Sequence, residues 1–278
     1  MRIHHLNCGT CCPPGGRLFD GETDAPRAHL VCHCLLIESD RGLILVDTGY
    51  GSRDVAHPDR RLARFFRTLN QPQLRREETA VERVRALGFK PDDVRHIVVS
   101  HLDFDHAGGI EDFPHAAVHV TAKEKEVADA RSGGAFVGTR RYRPQQWDEA
   151  HDWRLYPLGR GERWFGFEAV RDLEGLPPDI LLVPLAGHTW GHSGIAVKEP
   201  GGWLLYAADA YFHHGEIGDP YACPPGLRGY QKLMEVDRTA RLANQKRLRE
   251  LARDHGDEVR IFCAHDVVEF DLLSSPRP

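Results

Sequence analysis

Five short, mostly apolar runs in this chain lead into an aspartate or a histidine. Leu43–Val46 runs into Asp47, Ile97–Ser100 into His101, Leu181–Leu185 towards His188, Trp203–Ala208 into Asp209, and Ile261–Cys263 towards His265. Runs of this length with a continuous apolar centre read as strands covered on both faces. A rigid strand aims the polar residue that follows it. If these strand ends share one edge of a sheet assembly, their side chains converge there. The pattern therefore asks for several buried strands that all deliver to one rim.

The densest of these ends is Ser100–Gly109, where His101, Asp103, Asp105 and His106 fall close together before Gly108-Gly109. In extended geometry His101 and Asp103 project to one face, since side chains repeat every second residue. Four such groups begin a metal site without completing it. Adding His188, Asp209 and His265 makes seven, more mixed nitrogen and oxygen donors than one divalent ion uses. Two ions sharing a bridging carboxylate, about 3.5–4 Å apart as in two-metal hydrolases, would use them all.

The rest of the chain supplies the scaffold. Arg2–Leu6 reads as a strand before a Cys/Pro/Gly loop. Leu30–Glu38 and Gly42–Val46 read as a hairpin about Ser39-Asp40-Arg41. Residues 58–89 read as helical, with Leu62, Phe65, Phe66 and Leu69 at helical spacing and a second helix over Glu77–Leu87 stopped by Gly88. Thr121 caps a helix to about Ala130. Gln231 to about Asp254 reads as one long helix with a solvated, basic face. His115 and His119 read as structural. Residues 131–178, rich in Gly, Pro, Arg and aromatics such as Phe136, Trp147 and Trp164, admit two readings: an insertion with its own apolar cluster, or a lid over a pocket.

Composition removes several classes of partner. A net charge of −5 gives no general attraction to nucleic acid or to an anionic membrane. No apolar run is long enough to span a bilayer, and the first residues carry no apolar signal segment, so a cytoplasmic protein is expected. Seven cysteines, an odd number, favour free thiols over a disulfide framework. Cys8-x-x-Cys11-Cys12 lacks a partner pair at zinc-finger spacing and reads as buried thiols.

Taken together, His101-Leu-Asp103-Phe-Asp105-His106, Gly187-His188, Asp209, His265 and the early Asp47-Thr48-Gly49 resemble the metallo-β-lactamase superfamily, over about residues 30 to 270. Asp105-His106-Ala107-Gly108-Gly109 and Gly187-His188-Thr189-x-Gly191-His192-Ser193 look most like its N-acyl-homoserine lactonase group. The resemblance implies an α/β, four-layer αββα sandwich of two mixed sheets flanked by helices, formed by residues 1–278 as a single domain. It implies two divalent ions, zinc in the first place. His101, Asp103 and His188 would hold the first, Asp105, His106 and His265 the second, and Asp209 would bridge. Asp105 would be the catalytic carboxylate beside the nucleophile, Asp47 and His192 would orient ligands, and Tyr211 and His213 would contact a small-molecule substrate. Many members of the family are dimers, which leaves a homodimer open.

Two positions depart from the family. Asp103 stands where the pattern has a second histidine. A carboxylate there is harder and anionic, which favours iron or manganese, or leaves the first site weak. The lactonases carry a tyrosine three residues after the bridging aspartate, and here that residue is Phe212, preceded by Tyr211. The implied reaction is hydrolysis of an ester, lactone or thioester carbonyl by a bridging hydroxide. Alternatives are a phosphodiesterase or phosphotriesterase on the same fold, a non-haem iron redox enzyme, and a ligand-binding protein without catalysis.

Overall fold

The computed structural model describes residues 1–131, 137–148, 152–159, 161–170, 172–218 and 220–275. Six strands form one mixed sheet in chain order: β1 (Arg2–Cys11), β2 (Leu30–Ser39), β3 (Gly42–Val46), β4 (Val94–Val98), β5 (Ala117–Thr121) and β6 (Asp152–Tyr156). β1 to β3 pair antiparallel, and β3 to β6 run parallel. A short hairpin follows, β7 (Glu162–Trp164) and β8 (Phe167–Ala169). The second sheet holds β9 (Ile180–Pro184), β10 (Ser193–Glu199), β11 (Gly202–Tyr206) and β12 (Val259–Phe262), in the order β12-β11-β10-β9. β9, β11 and β12 all point the same way, because β10 is antiparallel to both its neighbours and β11 pairs parallel with β12.

The continuous apolar runs are explained by where alternate side chains go. Leu35, Ile37, Ile44, Val46 and Val98 of the first sheet meet Ile180, Leu182, Ile195, Leu204 and Phe262 of the second, filling the space between the sheets. The intervening residues Leu36, Leu45 and Ile97 face outward onto Ala80, Val81, Val84 and Val127 from helices. On the other sheet Leu181, Val183 and Leu205 face Leu248 and Leu251 of the helix Arg238–His255. The layering is helix, sheet, sheet, helix, as expected.

Several boundaries differ from those the pattern predicts. The 58–89 stretch is three short helices, Pro58–Arg61, Arg64–Asn70 and Ala80–Ala86. Leu62 takes an extended backbone between the first two, and Arg61 turns inward with its Nε 2.8 Å from Asp54. The long C-terminal helix is two, Pro225–Met234 and Arg238–His255. Asp237 caps the second by accepting from the Ala240 amide, and the amides of Val236 and Asp237 both donate to the Gly187 carbonyl at 2.9 and 3.0 Å. That contact breaks the helix, and it anchors the loop that carries His188.

Within 131–178, β6 joins the first sheet, and Tyr142 and Trp147 are buried in the core beneath it. Phe136 and the other residues of 132–136, 149–151, 160 and 171 lie outside the described residues. Among the described residues, no helix is long and apolar enough to cross a membrane.

Candidate metal centre

The five strand ends do share one rim. Asp47 and His101 follow the parallel strands β3 and β4, while His188, Asp209 and His265 follow β9, β11 and β12. The two sheets are tied there, since the Ser193 amide donates to the Ser100 carbonyl at 3.0 Å. Asp103, Asp105 and His106 complete the cluster.

Asp209 sits at its centre with one oxygen on each side. Oδ2 lies 3.8 Å from His101 Nε2 and 3.3 Å from His188 Nε2. Oδ1 lies 3.3 Å from His106 Nε2 and 3.2 Å from His265 Nε2. Asp103 Oδ2 is 3.5 Å from His101 Nε2 and 3.1 Å from His188 Nε2. Asp105 stands on the other side, its oxygens 4.0 Å from His106 Nε2 and 3.8 Å from His265 Nε2. The groups His101–Asp103–His188 and His101–His106–Asp209 each bring three donor atoms close enough to share an ion.

The imidazoles are turned by their outer nitrogens. His106 Nδ1 donates to Asp47 Oδ2 at 2.8 Å, and His265 Nδ1 donates to the Val31 carbonyl at 2.8 Å. Ser100 Oγ donates to Asp47 at 2.6 Å, so it accepts from His101 Nδ1 at 3.0 Å. In all three rings the Nε2 lone pair then points into the cluster, the arrangement a metal ligand needs. His192 donates from Nδ1 to the Leu185 carbonyl and accepts the Asp209 amide on Nε2 at 3.0 Å, which positions Asp209. Asp47 receives two further bonds, from the Ser100 amide and the Tyr206 hydroxyl, both at 2.7 Å.

Two residues at these strand ends hold left-handed backbone, Asp47 at φ 55° and Ala208 at φ 47°. For alanine this costs roughly 1–2 kcal/mol, strain of the kind that aims a following functional side chain.

Burial alone would empty these groups of charge, yet at Asp209 and His265 their mutual field overrides it. Burial works against the charge on Asp209, and the facing His265 and His106 hold its carboxyl well below the usual range. Burial likewise opposes protonation of His265, but Asp209 pushes its imidazole up to about 9. His188 goes the other way, down to about 4, because burial dominates there and Arg141 adds positive charge. Asp105 is raised by burial, with Asp209 and Asp103 adding to the effect.

His101 Nε2, His106 Nε2 and Asp209 Oδ1 are buried and have no hydrogen-bond partner. Orphaned acceptors of this kind, converging from the ends of β4 and β11, fit a cation.

Several residues that hold this site carry no signal in the sequence pattern. Arg141, fully buried at the end of the short helix Gly138–Arg141, puts its guanidinium on Asp103 and His188. Glu124, also fully buried, accepts from the amides of Leu102 and Gly191 at 3.0 and 3.1 Å and from the hydroxyls of Thr189 and Tyr142 at 2.6 and 3.3 Å. It clamps both ligand loops to one helix. The approach is close: a Cβ on Gly191 would lie 2.2 Å from the Glu124 amide nitrogen, so only glycine fits. Cys32, also buried, groups with Asp105 and His265. The Tyr230 phenol accepts from Asn70 at 3.1 Å, and burial and the charge of Asp105 raise it well above its ordinary value.

Two expected substrate contacts are not brought to the cluster. Tyr211 is fully buried in the outer core, and its hydroxyl donates to Glu269 at 2.8 Å. The aromatic against the site is Phe212, which stacks on His265 with centroids 5.2 Å apart. His213 instead stacks on His214 and groups with it and Glu22.

The profile of the metallo-beta-lactamase superfamily matches residues 28–265. The chain belongs to this superfamily. A probable metallo-hydrolase of Mycobacterium tuberculosis is 40% identical over 267 residues, covering 96% of this chain and 80% of that protein. An N-acyl homoserine lactonase of Bacillus cereus is 26% identical over 270 residues, covering 96% and 93%. In three dimensions the chain is similar to an N-acyl homoserine lactone hydrolase solved with N-hexanoyl-L-homoserine bound at its catalytic metal center, with a TM-score of 0.71, 23% identity and coverage of 97% and 95%. Superfamily membership makes the chain a metal-dependent hydrolase, and the groups at the rim are candidates to hold such an ion.

Proposed function

We infer that this chain hydrolyses a small carbonyl ester, with lactones and thioesters as the favoured class. The observation that carries the reading is the convergence of the unpartnered His101 Nε2, His106 Nε2 and Asp209 Oδ1 at one strand-end rim. A divalent ion bound there would acidify a water and polarise a carbonyl oxygen.

The protein's own groups would do the rest. His101, His106 and His265 offer fixed lone pairs, held by Ser100, Asp47 and the Val31 carbonyl. Asp105 is the most exposed carboxylate of the cluster at 9%, against 2% for Asp103 and 3% for Asp209. Substrate would therefore enter on the Asp105–His265 side. Burial raises the Asp105 carboxyl, which suits a group that accepts the proton of an attacking water and returns it to the leaving alkoxide or thiolate. Phe212, stacked on His265, offers an apolar face to an acyl chain. The relation to an N-acyl homoserine lactonase supports a lactone as the first substrate to try.

The test is metal content together with turnover on a panel of lactones, thioesters and aryl esters, for the wild type and Asp209→Ala. We expect hydrolysis of at least one carbonyl ester, and loss of both metal and activity in the variant. A metal-loaded wild type that turns over phosphodiesters but no carbonyl ester would sink this assignment.

A further inference from the structure

Among the seven family ligand positions, two groups are unlike. His101 Nε2, His106 Nε2 and Asp209 Oδ1 have no hydrogen-bond partner. Asp103 and His188 are already engaged by Arg141. Its NH2 group donates to Asp103 Oδ2 and to His188 Nε2, both at 2.9 Å. Its NH1 group donates to the carbonyls of His188 and Met234 at 3.0 and 3.1 Å. Its Nε faces Asp103 Oδ1 at 2.8 Å, an ion pair off the hydrogen-bonding direction. Every nitrogen of the guanidinium has a partner, and the side chain is fully buried.

An imidazole Nε2 has one lone pair. It can accept from a guanidinium or bind a metal, but not both. The guanidinium is also always charged and matches a carboxylate with two parallel contacts, so it is a permanent occupant of the Asp103 fork. This makes sense of the departure at Asp103. A histidine there offers no such fork to Arg141, whereas an aspartate does. The two residues read as a matched pair.

We propose that Arg141 is the resident cation of the first site, and that the centre binds a single divalent ion on the side of His106, Asp209, His265 and Asp105, with His101 facing it. Of the three carboxylates around the histidines, Asp103 is neutralised by Arg141, and one divalent ion balances Asp105 and Asp209. The ion occupies the side that opens towards solvent, through Asp105 and His265, while the guanidinium seals the closed side. The NH1 and NH2 groups of Arg141 are fully engaged and its Nε is buried against Asp103, so it is a positioning residue: it fixes Asp103 and His188 and keeps a second metal out. This rests on the metal-dependent reading above.

The experiment is metal stoichiometry by elemental analysis after loading with excess zinc and desalting. The samples are the wild type, His188→Ala, His265→Ala and the double variant Asp103→His with Arg141→Met. We expect about one ion per chain in the wild type. His188→Ala should keep it, and His265→Ala should lose it. The double variant rebuilds the family donor set without the guanidinium and should gain a second ion. The wild-type count needs no variant to fold. Two ions per chain in the wild type, or loss of the single ion in His188→Ala, overturns the proposal while leaving the hydrolase reading intact. No bound ion at all overturns both.

Discussion

Replacing Glu124 by glutamine keeps the shape of the side chain and removes half of its accepting capacity. Oε1 accepts from the Leu102 amide and the Tyr142 hydroxyl, and Oε2 from the Thr189 hydroxyl and the Gly191 amide. A glutamine retains one oxygen and turns an NH2 towards the other pair of donors. Two buried donors then lose their partner, at roughly 1–3 kcal/mol each, for a total of about 2–6 kcal/mol with some relaxation. The two loops released are those that carry His101 to His106 and His188 to His192. Supporting residues of this kind typically change metal affinity by about 10–100-fold. Urea unfolding of the apo protein measures the first effect, and chelator competition measures the second. Tyr142→Phe removes one donor along with its need for a partner, so it should cost about 1 kcal/mol and serves as the control. If Glu124→Gln unfolds at the wild-type urea midpoint and holds metal with wild-type affinity, the clamp assigned to Glu124 is wrong.

Asp47→Asn isolates a different support. Asparagine tolerates the left-handed backbone at this position, so a loss reports the side chain alone. The carboxylate accepts from His106, Ser100 and Tyr206, and an amide NH2 opposes at least one of these donors. We expect about 1–3 kcal/mol of lost stability and a weaker metal site, read by thermal melts and chelator competition. Glu269, which accepts the Tyr211 hydroxyl and the Cys263 amide, is raised by burial to about 7 from 4.5. Its folded value exceeds its unfolded one, so the folded state binds the extra proton, and stability should fall as pH rises from about 4.5 through 7. Glu269→Gln should flatten that part of the stability–pH curve. An unchanged slope in the variant would rule out Glu269 as its source.

The legible part of this protein was the part written in strand periodicity. Continuous apolar runs at β3, β4, β9, β11 and β12 identified doubly covered strands, and the residues after them identified the rim. That works because burial on both faces leaves a local record in every residue of a strand. Helix boundaries were less legible. Nothing local marks Leu62 as extended, or says that the Gly187 carbonyl will capture two amides and break the C-terminal helix.

What the sequence determined by itself was the buried strands and the histidines and aspartates at their ends, since each is set by neighbours within a few residues, while the layered fold was legible only through the family resemblance. The tertiary structure alone decided how those donors are used. Arg141 and Glu124 reach the rim from distant segments, 38 residues from Asp103 and 65 from Thr189 respectively. Phe212 rather than Tyr211 faces His265 because the chain after Asp209 turns the tyrosine into the outer core. Charge pairing and lone-pair occupancy depend on distances through space, and no spacing along the chain encodes them.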